Sequence, residues 1–194
     1  MKNLNVIYED NHIIVVEKMV NVPSQGDKTG DEDMLTIIKA YLKEKYNKPG
    51  DVYLGLIHRL DRPVDGKMES DTGVFEDYPL KNERTNTSKV VDKNTKNAKL
   101  ASLDYEVLKY NSEINLSVVK VNLHTGRHHQ IRLQFSSRGH SIYGDQKYGT
   151  RGRGKQICLW AYELQFNHPI TNERLTFNCM PELTGSWKIL EESN

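Results

Sequence analysis

The chain has 194 residues, 37% hydrophobic and 27% charged, with a net charge of +1, a polar composition that suits one domain over 1–194 with its own core. The longest early apolar run, Ile13-Ile14-Val15-Val16, is far too short to cross a bilayer, and Met1-Lys2-Asn3-Leu4-Asn5 lacks the apolar stretch of a secretory leader. These features exclude a membrane span and point to a cytoplasmic protein, in which Cys158 and Cys179 are read as free thiols rather than a disulfide.

In chain order, Asn5–Tyr8 and His12–Glu17 read as paired strands around a Glu9-Asp10-Asn11 turn. Asp31 or Asp33 can cap a helix to about Tyr46, with Leu35, Ile38, Tyr41 and Leu42 on one face, ended by Asn47-Lys48-Pro49-Gly50. Tyr53–Ile57 is a short apolar strand leading into His58-Arg59-Leu60-Asp61. A polar stretch, Asp65–Thr72, precedes strand-like segments at Val74–Tyr78 and Ser88–Val91. Alternating apolar residues then predict strands at Leu103–Tyr110 and Leu116–Leu123. Gly126 precedes a predicted helix from Arg127 to about Arg138, with Ile131 and Phe135 on its buried stripe. Ile157–Phe166 and Arg174–Cys179 read as late strands around a turn at His168–Asn172, and Trp187–Leu190 as a short terminal helix. Many strands with few intervening helices imply an α+β fold with a mixed, largely antiparallel sheet and flanking helices.

Charge is distributed unevenly. Lys120 to Lys155 holds eight Lys or Arg and a single acid, Asp145, so this segment is +7 and the remainder is −6. Such a face either steers a polyanion or is merely solvated.

Two constellations carry possible chemistry. In His58-Arg59-Leu60-Asp61-Arg62-Pro63-Val64, a carboxylate between arginines is held ionised, and Pro63 stiffens the backbone just beyond it. Such a group serves as nucleophile or general base, or as a structural ion pair at a strand end. In Leu123-His124-Thr125-Gly126-Arg127-His128-His129-Gln130-Ile131-Arg132, the strand-to-helix change at Thr125 and Gly126 offers backbone N–H groups to phosphate, with Arg127, His128 and Arg132 at helical spacing. The histidines lack the cysteine pairs or His–Glu spacing of a metal site, so no metal is expected.

His58–Val64 resembles the signature around the catalytic aspartate of RluA-type RNA pseudouridine synthases. Thr125–Arg132, with Gly144-Asp145 and Tyr148-Gly149 downstream, is similar to that family's second signature, and Leu159–Pro169 resembles the segment that closes the domain. The resemblance implies the pseudouridine synthase catalytic fold as a single domain, with no separate N-terminal RNA-binding domain. It implies isomerisation of uridine to pseudouridine in structured ribosomal or transfer RNA, without metal or organic cofactor. By resemblance Asp61 is the catalytic carboxylate and Arg132 its partner. Arg62, Arg127, His128, Arg138, Lys147 and Leu159 would contact the flipped uridine or its RNA. A monomer with no obligatory protein partner is expected.

The sequence departs from the family after Val64. A strand-helix-strand unit bearing a functional tyrosine is missing there, roughly thirty residues for a unit of that kind. Asp65–Gly73 follows directly and looks like the loop that comes after it. Either the protein lacks that unit, which favours a non-catalytic RNA-binding relative, or the polypeptide carries residues beyond this sequence.

Overall fold

The computed structural model describes residues 4–19, 22–24, 32–49, 62–152, 154 and 157–191, with backbone only at 62–65 and 186. The expected strand at Tyr53–Ile57 and Asp61 itself lie outside the described residues.

In chain order the elements are β1 (Val6–Glu9), β2 (Ile14–Val16), α1 (Met34–Lys45), β3 (Arg62–Asp65), β4 (Thr72–Asp77), β5 (Pro79–Asn82), β6 (Thr87–Val90), β7 (Ala101–Asn111), β8 (Leu116–Leu123), α2 (Gln130–Ser136), β9 (Glu163–Asn167) and β10 (Arg174–Asn178). A 3-10 turn follows at Gly185–Leu190. Every strand pair among the described residues is antiparallel, as the alternating sequence implies.

The chain divides into two compact units. The first, Met1–Arg59 with Glu163–Cys179, holds the β1–β2 and β9–β10 hairpins and α1. Asp33 caps α1, its Oδ1 accepting the Thr36 N–H at 3.1 Å, because a short acidic side chain satisfies a donor that the first helical turn leaves open. Glu9 ties α1 to β1 by accepting from Tyr41, Lys45 and Tyr46. Tyr8 and Phe177 meet at 5.4 Å between ring centres, joining the two hairpins.

The second unit, Leu60–Tyr162 with Met180–Asn194, is built on a four-stranded sheet in the order β3-β8-β7-β4. In β8 the alternation sends Val119 and Val121 to one face, where they join Phe75, Leu103, Tyr105, Ile131 and Phe135 in the main core. Leu116 and Val118 point the other way and pack with Ile189 of the 3-10 turn. Phe135 is fully buried, so the Ile131–Phe135 stripe expected from sequence seats α2 on the sheet.

Gly73 of β4 stands directly opposite Tyr105 of β7, whose ring lies over it. A Cβ at Gly73 would sit 2.6 Å from that ring, which is itself held against Phe75 at 4.8 Å and Phe135 at 5.8 Å. Gly73→Ala is therefore expected to cost about 1–3 kcal/mol by overpacking. Thermal denaturation checks this, and an unchanged midpoint would mean that the ring swings aside freely.

Candidate functional site

The loop before α2 is shaped by one buried side chain. Gln130 Oε1 accepts the Thr125 hydroxyl at 2.8 Å and the Arg127 N–H at 2.9 Å, while its Nε2 donates to the Ser102 carbonyl at 3.1 Å. The helix consequently begins at Gln130 and not at Arg127. This corrects the expectation that Thr125 and Gly126 open a helix with N–H groups free for phosphate, since the Arg127 N–H already has an intramolecular acceptor. It also corrects the idea of one helical face for Arg127, His128 and Arg132, since only Arg132 is on the helix.

His129, just ahead of α2, has φ 51°, a left-handed conformation that a non-glycine residue adopts only when its surroundings hold it there. Its partners explain the constraint. Arg132 Nη1 donates to His129 Nε2 at 3.1 Å, and a guanidinium can only donate, so Nε2 is the bare nitrogen and the ring proton sits on Nδ1. Nδ1–H then donates to the Tyr148 hydroxyl at 3.0 Å, which also accepts the Ser88 N–H at 2.6 Å. The rings of His128 and His129 lie 3.9 Å apart. His128 reaches Asn86 Oδ1 through Nε2 at 3.0 Å and Ser88 Oγ through Nδ1 at 2.9 Å.

Arg132 is also gripped on its other edge. Its Nε and Nη2 donate to Asp145 Oδ2 and Oδ1 at 2.8 and 2.6 Å, a two-pronged pair with a carboxylate that is 0% exposed. The guanidinium lies over the Tyr148 ring at 5.1 Å. Burial pushes the Asp145 pKa up, but Arg132 and the N–H groups of Lys147 and Tyr148 outweigh it and hold the group ionised below the usual carboxylate range. Three of the five Arg132 N–H donors are thus engaged, leaving one on Nη1 and one on Nη2 that no described residue takes.

Burial and the neighbouring Arg132 charge lower the His129 pKa to about 3, and burial and Lys81 lower that of His128. Between that value and 6.5 the unfolded chain binds a proton that folded His129 refuses, so stability rises with pH across this window. The contribution is complete above the unfolded value and is lost as pH falls toward 3. Melting temperatures are expected to drop from pH 7 to pH 4, and less steeply in His129→Asn, which tolerates the same backbone conformation. Parallel curves for the two proteins would contradict this.

The other expected site residues are placed as follows. Asp61 lies outside the described residues, and Arg62 is described only as a backbone position paired with Val119. Arg127 Nε donates to the Leu100 carbonyl at 2.8 Å. Arg138 pairs with Asp77 at 2.8 Å and covers the Phe75 ring at 4.1 Å. Lys147 Nζ reaches the Asn86 carbonyl at 3.2 Å, and Leu159 is half-buried. His129, Asp145 and Tyr148 were not among the expected residues. The available signals are their place in the segments that resemble the family's second signature and Asp145 as the lone acid in a +7 segment, which in a folded protein needs a partner of opposite charge.

Among the described residues, one cluster has the composition of a metal site. Ligand atoms of Asp10, His12 and His168, in the first unit, lie within 4.8 Å of one another. His168 Nδ1 accepts the N–H groups of Ile170 and Thr171, so its proton is on Nε2, which donates to Asp10 Oδ2 at 2.8 Å. Asp10 Oδ1 accepts from the His12 and Ile13 N–H groups. A metal on Nε2 would force the ring proton onto Nδ1, against two N–H donors. The donor set therefore fits a clamp between two turns and not a metal centre.

Residues 66–137 match the family model described as RNA pseudouridylate synthase. An uncharacterized RNA pseudouridine synthase of Aquifex aeolicus is 29% identical, over 90% of this chain and 68% of its own length. The dual-specificity RNA pseudouridine synthase RluA of Haemophilus influenzae is 28% identical, over 90% of this chain and 92% of its own. The Aquifex match runs over 220 aligned positions while taking in 90% of these 194 residues, so about 45 positions face no residue here. Among solved structures, the human RNA Pseudouridylate Synthase Domain Containing 4 matches with TM-score 0.73 and 16% identity, covering 95% of this chain and 90% of that one. The human RNA Pseudouridylate Synthase Domain Containing 1 matches with TM-score 0.66 and 20% identity, covering 96% and 86%. At such identities these two establish the fold alone.

Proposed function

Because the chain belongs to the RluA-type RNA pseudouridine synthase family, we propose that it isomerises uridine to pseudouridine in structured ribosomal or transfer RNA, with Asp61 as the catalytic carboxylate and Arg132 as its orienting partner. The reaction breaks the glycosidic N1–C1′ bond, turns the uracil, and joins C5 to C1′; C5 gives up its proton and N1 gains one, so the product is an isomer. It is a rearrangement and consumes no group donor or oxidant. Asp61 acts on the sugar or base as nucleophile, or takes the proton as base.

The observation that carries this reading is the state of Arg132. Asp145 fixes its side edge and His129 takes one Nη1 hydrogen, so the guanidinium is a rigid cation with one N–H left on each terminal nitrogen. A second carboxylate that reaches these two donors is kept ionised and oriented, as the chemistry asks of Asp61. Arg62 and Leu159 would contact the extruded uridine, and Arg127, His128, Arg138 and Lys147 its RNA. A cytoplasmic location and a monomeric state belong to the same proposal. The test is nucleoside analysis of ribosomal and transfer RNA after incubation with the protein. New pseudouridine supports the reading, and RNA that is bound but unchanged defeats it.

A second reading, a non-catalytic RNA-binding relative, is favoured by one observation. About 45 aligned positions of the Aquifex relative lack a counterpart, and the family-model match begins at residue 66, just past Val64, where the sequence departs from the family pattern. An intact mass near 22.4 kDa supports true loss of that unit, and a heavier polypeptide restores it.

A further inference from the structure

The β5–β6 hairpin takes no part in the chemistry above, yet the fold fastens it firmly. Its tip residue Asn86, at φ 48°, accepts from His128 through its side chain and from Lys147 through its carbonyl. Ser88 is buried and binds both Tyr148 and His128. Four contacts therefore tie a short two-stranded hairpin to His128, Lys147 and Tyr148, and the Tyr148 ring lies under Arg132. Lys81 stands opposite Ser88 in the pairing and so shares its face, while Arg84 and Thr85 at the tip are exposed.

This arrangement gathers like charge. Lys81, Lys147 and Arg132 come from three separate stretches of sequence, and all three act on His128. One exposed acid, Glu83, stands against Lys81 at 2.6 Å. The hairpin itself, Pro79 to Val90, carries Lys81, Arg84 and Lys89 against Glu83, a net +2. A groove of about 410 Å³ lies along it, lined in part by Lys81, Asn82, Ser88 and Lys89. Gathering cations costs free energy in the isolated protein, and a polyanion repays it by releasing its own counterions.

We propose that the β5–β6 hairpin is an RNA-contacting arm, with Lys81 and Arg84 taking phosphodiester oxygens beside Lys147. The arm is stiff before RNA arrives, so little ordering is needed on binding. It deepens the reading given under Proposed function, since it assigns that site a second contact with its RNA. Its link through Ser88 and Tyr148 to His129 sets the bound strand in a fixed relation to Arg132.

The test is fluorescence anisotropy with a labelled, uridine-containing RNA stem-loop, titrated with salt. It compares the parent, Lys81→Gln/Arg84→Gln, and the charge-matched Lys39→Gln/Lys43→Gln on the exposed side of α1. Each lost phosphate contact flattens the dependence of log affinity on log salt by about 0.7, so the hairpin pair should lower the slope by about 1.4 and weaken low-salt binding roughly tenfold. The α1 pair should track the parent. Equal losses in both pairs would reduce the effect to net charge and overturn the assignment, as would a hairpin variant that binds like the parent. A parent that binds RNA through the hairpin but forms no pseudouridine leaves the arm standing and removes the isomerase reading. A parent that binds no RNA removes both.

Discussion

Arg132→Ala is expected to destabilise the second unit by about 3–5 kcal/mol, the usual penalty for stranding one partner of a buried ion pair. The Asp145 carboxylate is 0% exposed and faces Arg132 through two short bonds, 2.8 and 2.6 Å. The N–H groups of Lys147 and Tyr148, at 2.9 and 3.1 Å from Oδ1, would remain but carry no full positive charge. In a chain of this size the loss corresponds to a fall in melting temperature of roughly 10 °C. Arg132→Lys keeps the charge but loses the two-pronged geometry, and should fall between alanine and the parent. Adding Asp145→Asn to Arg132→Ala removes the stranded charge and should recover part of the loss. Thermal melts of the four proteins check the series. If Arg132→Ala melts within about 2 °C of the parent, the pair contributes little to the stability of the second unit.

Asp61→Asn is expected to cut pseudouridine formation by about 10²–10⁴-fold or more, the range in which a positioned carboxylate acts as base or nucleophile. The substitution preserves size and removes charge. RNA affinity should hold or rise slightly, because the variant carries one negative charge fewer against a polyanion. Rates of pseudouridine formation in a radiolabelled transcript, measured with anisotropy on the same RNA, separate catalysis from binding. Equal rates in variant and parent would withdraw the catalytic role of Asp61.

The parts of the fold written in local pattern were legible. The β8 alternation from Leu116 to Leu123 matches the observed strand at both ends, because apolar residues on both faces find cover there. Asp33 caps α1 as a short acid before an apolar stripe should. Tertiary contacts override local pattern elsewhere. Glycine and basic residues from Gly126 onward looked like a helix start, but the Gln130 side chain closes the loop and His129 takes a left-handed backbone, delaying α2 to Gln130. Residues 157–162 were read as part of a strand that begins only at Glu163. The Cys158 N–H goes to the Tyr143 carbonyl and the Leu159 N–H to the Ile157 carbonyl, and Trp160 forms an isolated β-bridge, so no ladder with β10 starts before Glu163.

The site was legible in its residue types more than in its pairings. Arg132 was identified, but sequence spacing gives no hint that its buried partner lies thirteen residues on, because that contact depends on the chain returning after α2 past Gly139. Arg138 shows the converse. Its place in a basic run suggested phosphate, while the fold commits it to Asp77 and to the face of Phe75. The hairpin carried no family signature. Its role emerges only once Asn86 and Ser88 are seen beside His128 and Lys147.

Catalysis as proposed requires Asp61 to reach the two donors that Asp145 and His129 leave on Arg132. The distance between the Asp61 carboxylate and the Arg132 guanidinium in a crystal of the RNA complex measures this directly. The expected separation is about 4 Å or less with a uridine extruded beside them. Side chains about 10 Å or more apart, beyond the reach of screened charges, would contradict it.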